Sequence, residues 1–308
     1  MARIVLLVTS PRLPAGLLSA AAWDLVRRTP VFAGVESGQT AALRAAGVAV
    51  TVTHRPVDDL LAEGDAVWLA GPRGDEELAR ELGLRLAREP GLAELELMYG
   101  SWDPPGARLL DAVTVMDRLA SPGGDPWKRA QTHQSLARFL LEEAYEAYDA
   151  IDAEDYPALR EELGDVLLQV VLHARLAEQL PEGQSWNIDD VAGDLVDKLV
   201  RRNPHVFGDV DVQDVDEIIE QWERIKKAEK ARAWALDGIA WSQPALALAE
   251  KVLSRARRAG LDVPLPAGDE LGAALLRAVA AGGDDAEGAL RRAVLAYAEG
   301  VRAAERAG

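Results

Sequence analysis

Within residues 141–171, "LEEAYEAYDAIDAEDYPALREELGDVLLQVV", five acids stand at helical spacing among leucines and valines: Glu142, Glu143, Glu146, Glu162 and Asp165. Side chains three apart on a helix are neighbours, so Glu143 and Glu146 share one face and Glu162 and Asp165 share another. The connecting "IDAEDYP" is short and Pro157 suits a first helical turn, so the two helices are expected to pack antiparallel with their acidic faces meeting. Carboxylates so placed repel one another and lose hydration. Oxygen donors alone, at this density, suit a hard divalent cation, Mg²⁺ or Mn²⁺, better than zinc, iron or copper. A di-iron carboxylate bundle would call for Glu-x-x-His pairs, whereas Ala130, Val170 and Arg202 stand three residues before His133, His173 and His205. The competing reading makes the acids solvated faces and i,i+4 partners. It suits any single acid better than the whole cluster, because Val166, Leu167, Val170 and Val171 press the second helix into a core and Gly164 permits close approach.

The elements that must hold this pair belong to a long helical tract. From Asp111 onward helices are expected at 111–120, 132–152, 156–179, 187–202 and 212–235, then in an Ala-rich stretch to the end. Loops such as "SPGGDPW", "LPEGQSW" and "NPHVFGD" punctuate them with Gly or Pro. Residues 1 to about 100 differ, alternating short β-rich runs (Arg3–Val8, Val48–Thr53, Ala66–Ala70, Leu95–Met98) with helical stretches near 19–28, 39–46 and 75–88. That alternation argues for a small α/β layer with some parallel pairing. Its loops "TSPRLPAG" and "AGPRGDEE" match neither the dinucleotide fingerprint nor a P-loop and read as ordinary connections. "GSWDPPGARLLDAV" reads as a linker feeding a helix, since Pro104 and Pro105 forbid helix before it. The expected fold is therefore a small α/β N-terminal domain followed by all-α helical bundle domains, mostly α in total.

The 308 residues carry a net charge of −17, which argues against nucleic-acid binding, because phosphate contacts need a basic face. An acidic protein that handles phosphates needs a bridging cation. The chain has no cysteine, which excludes thiolate metal sites and disulfides. The apolar run Ile4–Val8 is too short for a signal segment, and nowhere do about 18 apolar residues run uninterrupted. A cytoplasmic location with no membrane partner is the expectation.

"EEAYE" followed by "ELGD" resembles the paired EExxE and ExxD motifs of the all-α nucleoside triphosphate pyrophosphohydrolases. The flanks "DPWKRAQTHQSL", "LLEEAYEAYDAI", "ELGDVLLQVVLHA", "DKLVRRNPHVFGD" and "WERIKKAEK" narrow the resemblance to the MazG branch, over roughly residues 109–235. It implies Mg²⁺-dependent conversion of (deoxy)nucleoside triphosphates to monophosphate and pyrophosphate, with sanitation of the nucleotide pool as a role. By the motif match Glu143, Glu146, Glu162 and Asp165 would be metal ligands, and Glu142 would position or deprotonate the attacking water. Arg160, Asp197, Lys198, Arg201, Arg202, Trp222 and Lys226 become nucleotide-binding candidates. Isolated basic patches of this kind are usually solvated helix faces, and a Trp on an amphipathic helix is more often core; Trp127 carries the same two readings. His133 and His173 read as packing or capping residues. A homodimer is expected, because a two-helix acidic hairpin cannot bury itself. The different-class alternative is a non-catalytic nucleotide- or partner-binding helical protein.

The chain departs from the family pattern at two motifs. "GDPWK" has Asp125 and Lys128 where the family has Cys and Asp, and "RRNPHVF" has Asn203 where it has His. Neither touches an expected metal ligand, so the consequence falls on nucleotide selectivity and loop packing. Residues 242–308 resemble the entry to a second family copy that has lost both acidic motifs. Residues 1–100 look like a much shortened tetrapyrrole-methylase-like segment, with "GPRGDEE" where that family has a Gly-rich loop, and methyl transfer is not expected.

Overall fold

The computed structural model describes residues 1–71, 75–208, 214, 217–218, 221–222, 224–225, 234–282 and 285–307. The chain divides into two units, Met1–Gly193 and Asp194–Gly308. In the first, five strands (β1 Ala2–Val8, β2 Val31–Ala33, β3 Val50–Val52, β4 Ala66–Leu69, β5 Ala93–Tyr99) alternate with four helices (α1 Ala20–Arg28, α2 Gly38–Ala45, α3 Pro56–Glu63, α4 Glu76–Arg88). The strand order is β3-β2-β4-β1-β5 and every pairing is parallel.

Alternate residues of β1 serve opposite faces, as a two-residue period requires. Val5 and Leu7 join Ala22, Val26 and Leu43 of α1 and α2, while Ile4 and Leu6 join Leu60, Leu78 and Leu82 of α3 and α4. A central strand covered on both sides reads as an unbroken apolar run. The edge strand β5 instead carries Glu94 and Glu96, the latter paired with Arg3 at 2.6 Å, and such charges blunt edge-to-edge association.

The alternating α/β layer is present, with two elements that the sequence reading lacked. β2 spans three residues between Pro30 and Gly34, below the length at which alternation shows. α3 begins with Pro56 at its first turn and carries Asp58 and Asp59 there. In the loop "AGPRGDEE", the Trp68 indole N–H donates to Asp75 at 2.6 Å; residues 72–74 lie outside the described ones.

The stretch read as a linker is fastened to the α/β layer. Ser10 donates its backbone N–H to Ser101 Oγ at 2.9 Å and its hydroxyl to Asp103. Arg12, from the loop after β1, grips Asp111 through Nε and Nη2 at 2.8 and 2.5 Å and also pairs with Asp103. The guanidinium fork matches a carboxylate in a way an ammonium cannot, and the bond to Arg12, then that to Arg108, holds the Asp111 carboxyl below its ordinary range. Arg12→Ala is expected to lower the melting temperature well beyond Arg12→Lys, because two aspartates lose their partner; equal, small shifts in calorimetry would assign the contact to the surface class that contributes little.

Helices then follow: α5 Arg108–Ala120, the single turn α6 Pro126–Arg129, α7 His133–Asp152, α8 Tyr156–Ala177 and α9 Ile188–Arg202. Thr132 and Ser135 form a capping box that starts α7. Asp155 caps α8 by accepting from Ala158 N at 3.1 Å, with Pro157 inside the first turn. Glu154, at φ 53, supplies the left-handed residue that turns one helix into the next. Met116, Leu136, Val171 and Leu172 form the shared core, with Val113, Phe139, Leu167 and Leu168 packed around it. Arg175 of α8 adds a 2.8 Å bond to Asp117 of α5.

The boundary between the two units falls within α9. The second unit holds α10 Pro204–Phe207, α11 Ala245–Arg258, α12 Leu271–Ala281 and α13 Ala286–Ala307. "SPGGDPW" and "NPHVFGD", read as loops, each carry a single helical turn begun by a proline. Most of the helix expected at 212–235 lies outside the described residues. No helix among the described residues is long and apolar enough to cross a membrane.

Candidate metal centre

The antiparallel pair α7 and α8 brings the acids together. Carboxylate oxygens of Glu143, Glu146 and Glu162 lie within 4.8 Å of one another, with Glu143 and Glu162 half-buried and Glu146 exposed. Desolvation first, then a hydrogen bond to Glu146 and the charges of Asp165, Glu146 and Glu142, push the Glu143 carboxyl above its ordinary range. Glu162 is raised too, by desolvation and then by Glu146, Asp165 and Glu161. Asp165 stands outside the tight trio but acts on two of its members through its charge. A site whose own groups resist ionisation, and whose donors are all oxygen, fits a hard divalent cation. Glu142 is exposed, on the flank of this face.

The described basic candidates lie on α8 and α9. Arg160 is exposed near the start of α8. Asp197, Lys198, Arg201 and Arg202 belong to the second unit, on the C-terminal half of α9, where Lys and Arg complement the helix dipole. Within that unit the Arg202 guanidinium lies 5.8 Å from the Trp222 ring centroid. Lys226 lies outside the described residues.

At "GDPWK" the two departures from the family pattern answer each other. Asp125 caps α6 by accepting from Trp127 N at 2.9 Å, and Lys128 Nζ reaches Asp125 at 3.1 Å. The Trp127 ring packs edge-on against Phe139, with 5.8 Å between centroids, so one ring face is core while half the side chain stays exposed.

Two residues gain significance that their spacing did not announce. His133 and His173, forty positions apart, stack with 5.0 Å between centroids and Nδ1 atoms 2.7 Å from each other. Trp186 lies 6.3 Å beyond His133. That Nδ1 contact is a hydrogen bond only when one ring donates and the other accepts. His133 stands at the first position of α7. Burial, then the charge of His133, holds His173 below its ordinary 6.5. Neutral His173 therefore contributes stability that is full above pH ~6.5 and is lost as pH falls through that value toward its lower folded pKa. His173→Phe should flatten the fall in melting temperature between about pH 7 and pH 5; an unchanged slope would assign it to other groups.

With this geometry in hand, comparison with known proteins decides the lineage. A model described as the MazG nucleotide pyrophosphohydrolase domain matches residues 131–207, the span that contains the acid cluster. An uncharacterized 26.1 kDa protein of Streptomyces cacaoi is 49% identical over 75% of this chain and 95% of its own length. Residues 131–207 of this chain belong to the MazG domain family. A relative from Mycolicibacterium smegmatis, named nucleoside triphosphate pyrophosphohydrolase, is 49% identical over 66% of this chain and 61% of its own length. An Escherichia coli K12 relative of the same name is 44% identical over 49% of this chain and 57% of its own. The chain thus spans about three fifths of the length of these two named relatives.

Proposed function

We propose that this chain is a Mg²⁺-dependent nucleoside triphosphate pyrophosphohydrolase, cleaving (deoxy)nucleoside triphosphates to monophosphate and pyrophosphate. The observation that carries the reading is the convergence of Glu143, Glu146 and Glu162 within 4.8 Å in a family whose named members bear that activity. Glu143, Glu146, Glu162 and Asp165 hold the cation, with Mn²⁺ as the natural substitute. Bound Mg²⁺ supplies charge neutralisation on the polyanion and a template for in-line water attack at the α-phosphorus. Glu142, on the flank of the cluster, orients that water and accepts its proton. Lys198, Arg201, Arg202, Arg160 and Lys226 hold the phosphates, Asp197 belongs to the same nucleotide-binding set, and Trp222 offers a ring for the base.

The pyrophosphohydrolase assembles as a cytoplasmic homodimer in this reading. Leu141, Ile151 and Leu163 on the hairpin are 57%, 57% and 53% exposed, and Tyr156 is 71% exposed, apolar surface that a second protomer covers in this reading. Residues 242–308 form a metal-free packing copy, and residues 1–100 a shortened methylase-like layer without methyl transfer. Incubation with a panel of standard and modified NTPs and dNTPs, with Mg²⁺ and with EDTA, tests the activity. Metal-dependent monophosphate plus pyrophosphate is the expected product pattern. Diphosphate plus orthophosphate, or no turnover of any nucleotide, would overturn it.

A further inference from the structure

Past its carboxylates, the acidic face of α8 continues in two polar residues that the hydrolysis itself does not use, Gln169 and His173. Glu162, Asp165, Gln169 and His173 follow one another at helical intervals of three, four and four residues, so they share one face of α8. Gln169 is 4% exposed and lies in the otherwise apolar run from Val166 to Leu172. Its Oε1 is buried with no hydrogen-bond partner, and one turn farther on the same is true of His173 Nε2. Leaving such a group unpaired is unfavourable, and a leucine there would avoid that. An orphaned acceptor at the core end of a reactive face is what a ligand-binding residue looks like before its ligand arrives.

Resting on the pyrophosphohydrolase reading, we propose that Gln169 selects the nucleoside: its carboxamide oxygen accepts a hydrogen bond from an N–H of the base, while the triphosphate is held at Glu143, Glu146 and Glu162. Gln169 stands one helical turn, about 6 Å, from Asp165 along α8, on the side away from Glu162. The row then runs from a charged end that suits phosphates to a neutral, buried end that suits a base. Selection follows because a site built to receive a donor penalises a base that lacks one.

The test compares ATP with the purine riboside triphosphate whose base bears no N–H, in the wild-type chain and in Gln169→Met, an apolar replacement of similar length. In the wild type KM for ATP should be about tenfold lower than for the analogue, the worth of one buried hydrogen bond. Gln169→Met should raise KM for ATP about tenfold, bring it level with the analogue and leave inhibition by inorganic tripolyphosphate unchanged. The ligand-free variant should melt no lower than the wild type, since an unpaired polar atom has been removed. Equal wild-type KM values for the two nucleotides overturn the proposal even if the variant fails to fold. So does a variant that keeps the wild-type preference, that loses ATP over dATP discrimination instead, which would place the contact on the sugar, or that weakens tripolyphosphate inhibition in step. A wild type that turns over no nucleotide sinks the pyrophosphohydrolase reading itself; normal turnover with unchanged discrimination sinks only the role of Gln169.

Discussion

Glu162→Gln is expected to cut nucleoside triphosphate turnover roughly a thousandfold or more while leaving the melting temperature of the chelated protein equal to or above that of the wild type. The two halves have one cause. Glu162 is desolvated and faces the charges of Glu146, Asp165 and Glu161, which push its carboxyl above its ordinary range. In the absence of a cation its ionised form is therefore an unfavourable element of the fold, and the neutral isostere removes a repulsion without opening a cavity. With the cation the sign reverses, because the lost charge is one the ion needs. Parallel assays and thermal melts in EDTA decide the matter: a large drop in melting temperature would make Glu162 a structural carboxylate, and retained turnover would remove it from the ligand set.

Chelation should abolish turnover of the wild type altogether, and returning Mg²⁺ should restore both activity and stability. An ion that binds only the folded state stabilises by mass action, by about 2.7 kcal/mol at a hundredfold excess over its dissociation constant. The gain arises where Glu143, Glu146 and Glu162 crowd within 4.8 Å, so Glu162→Gln should show little of it. If Mg²⁺ leaves the wild-type melt unmoved across a millimolar titration while turnover still requires it, the cation arrives with the nucleotide and not at a preformed protein site. Turnover that persists in EDTA would remove metal from the reaction.

Local order is what made the hairpin readable. Three-residue spacing places Glu143 beside Glu146 whatever the rest of the chain does, and Pro157 with Asp155 marks the start of α8. The three-residue β2 and the proline-led turns α6 and α10 were missed because each is shorter than a period. Long-range pairings left no local trace: Arg12 finds Asp111 across 99 positions and His133 finds His173 across 40. Gln169 was passed over for a different reason, since a single polar residue in an apolar run looks like an interruption until its neighbours prove to be core. Lys198 and Arg201 are legible as basic, but basic residues on a helix have too many uses for spacing to choose among them.

The grip of Arg12 on Asp111 has a consequence for how this protein can change. Asp111 opens α5, α5 shares Met116 with Val171 and Leu172 of α8, and Asp117 of the same helix holds Arg175. A hydrolase module cut free at residue 109 would keep every acid yet lose the anchor of the helix that backs them. The first hundred residues, with no chemistry of their own in this account, are thereby bound to the inheritance of the site: a substitution at Arg12 is answered in α5, and the two parts of the unit can drift only together.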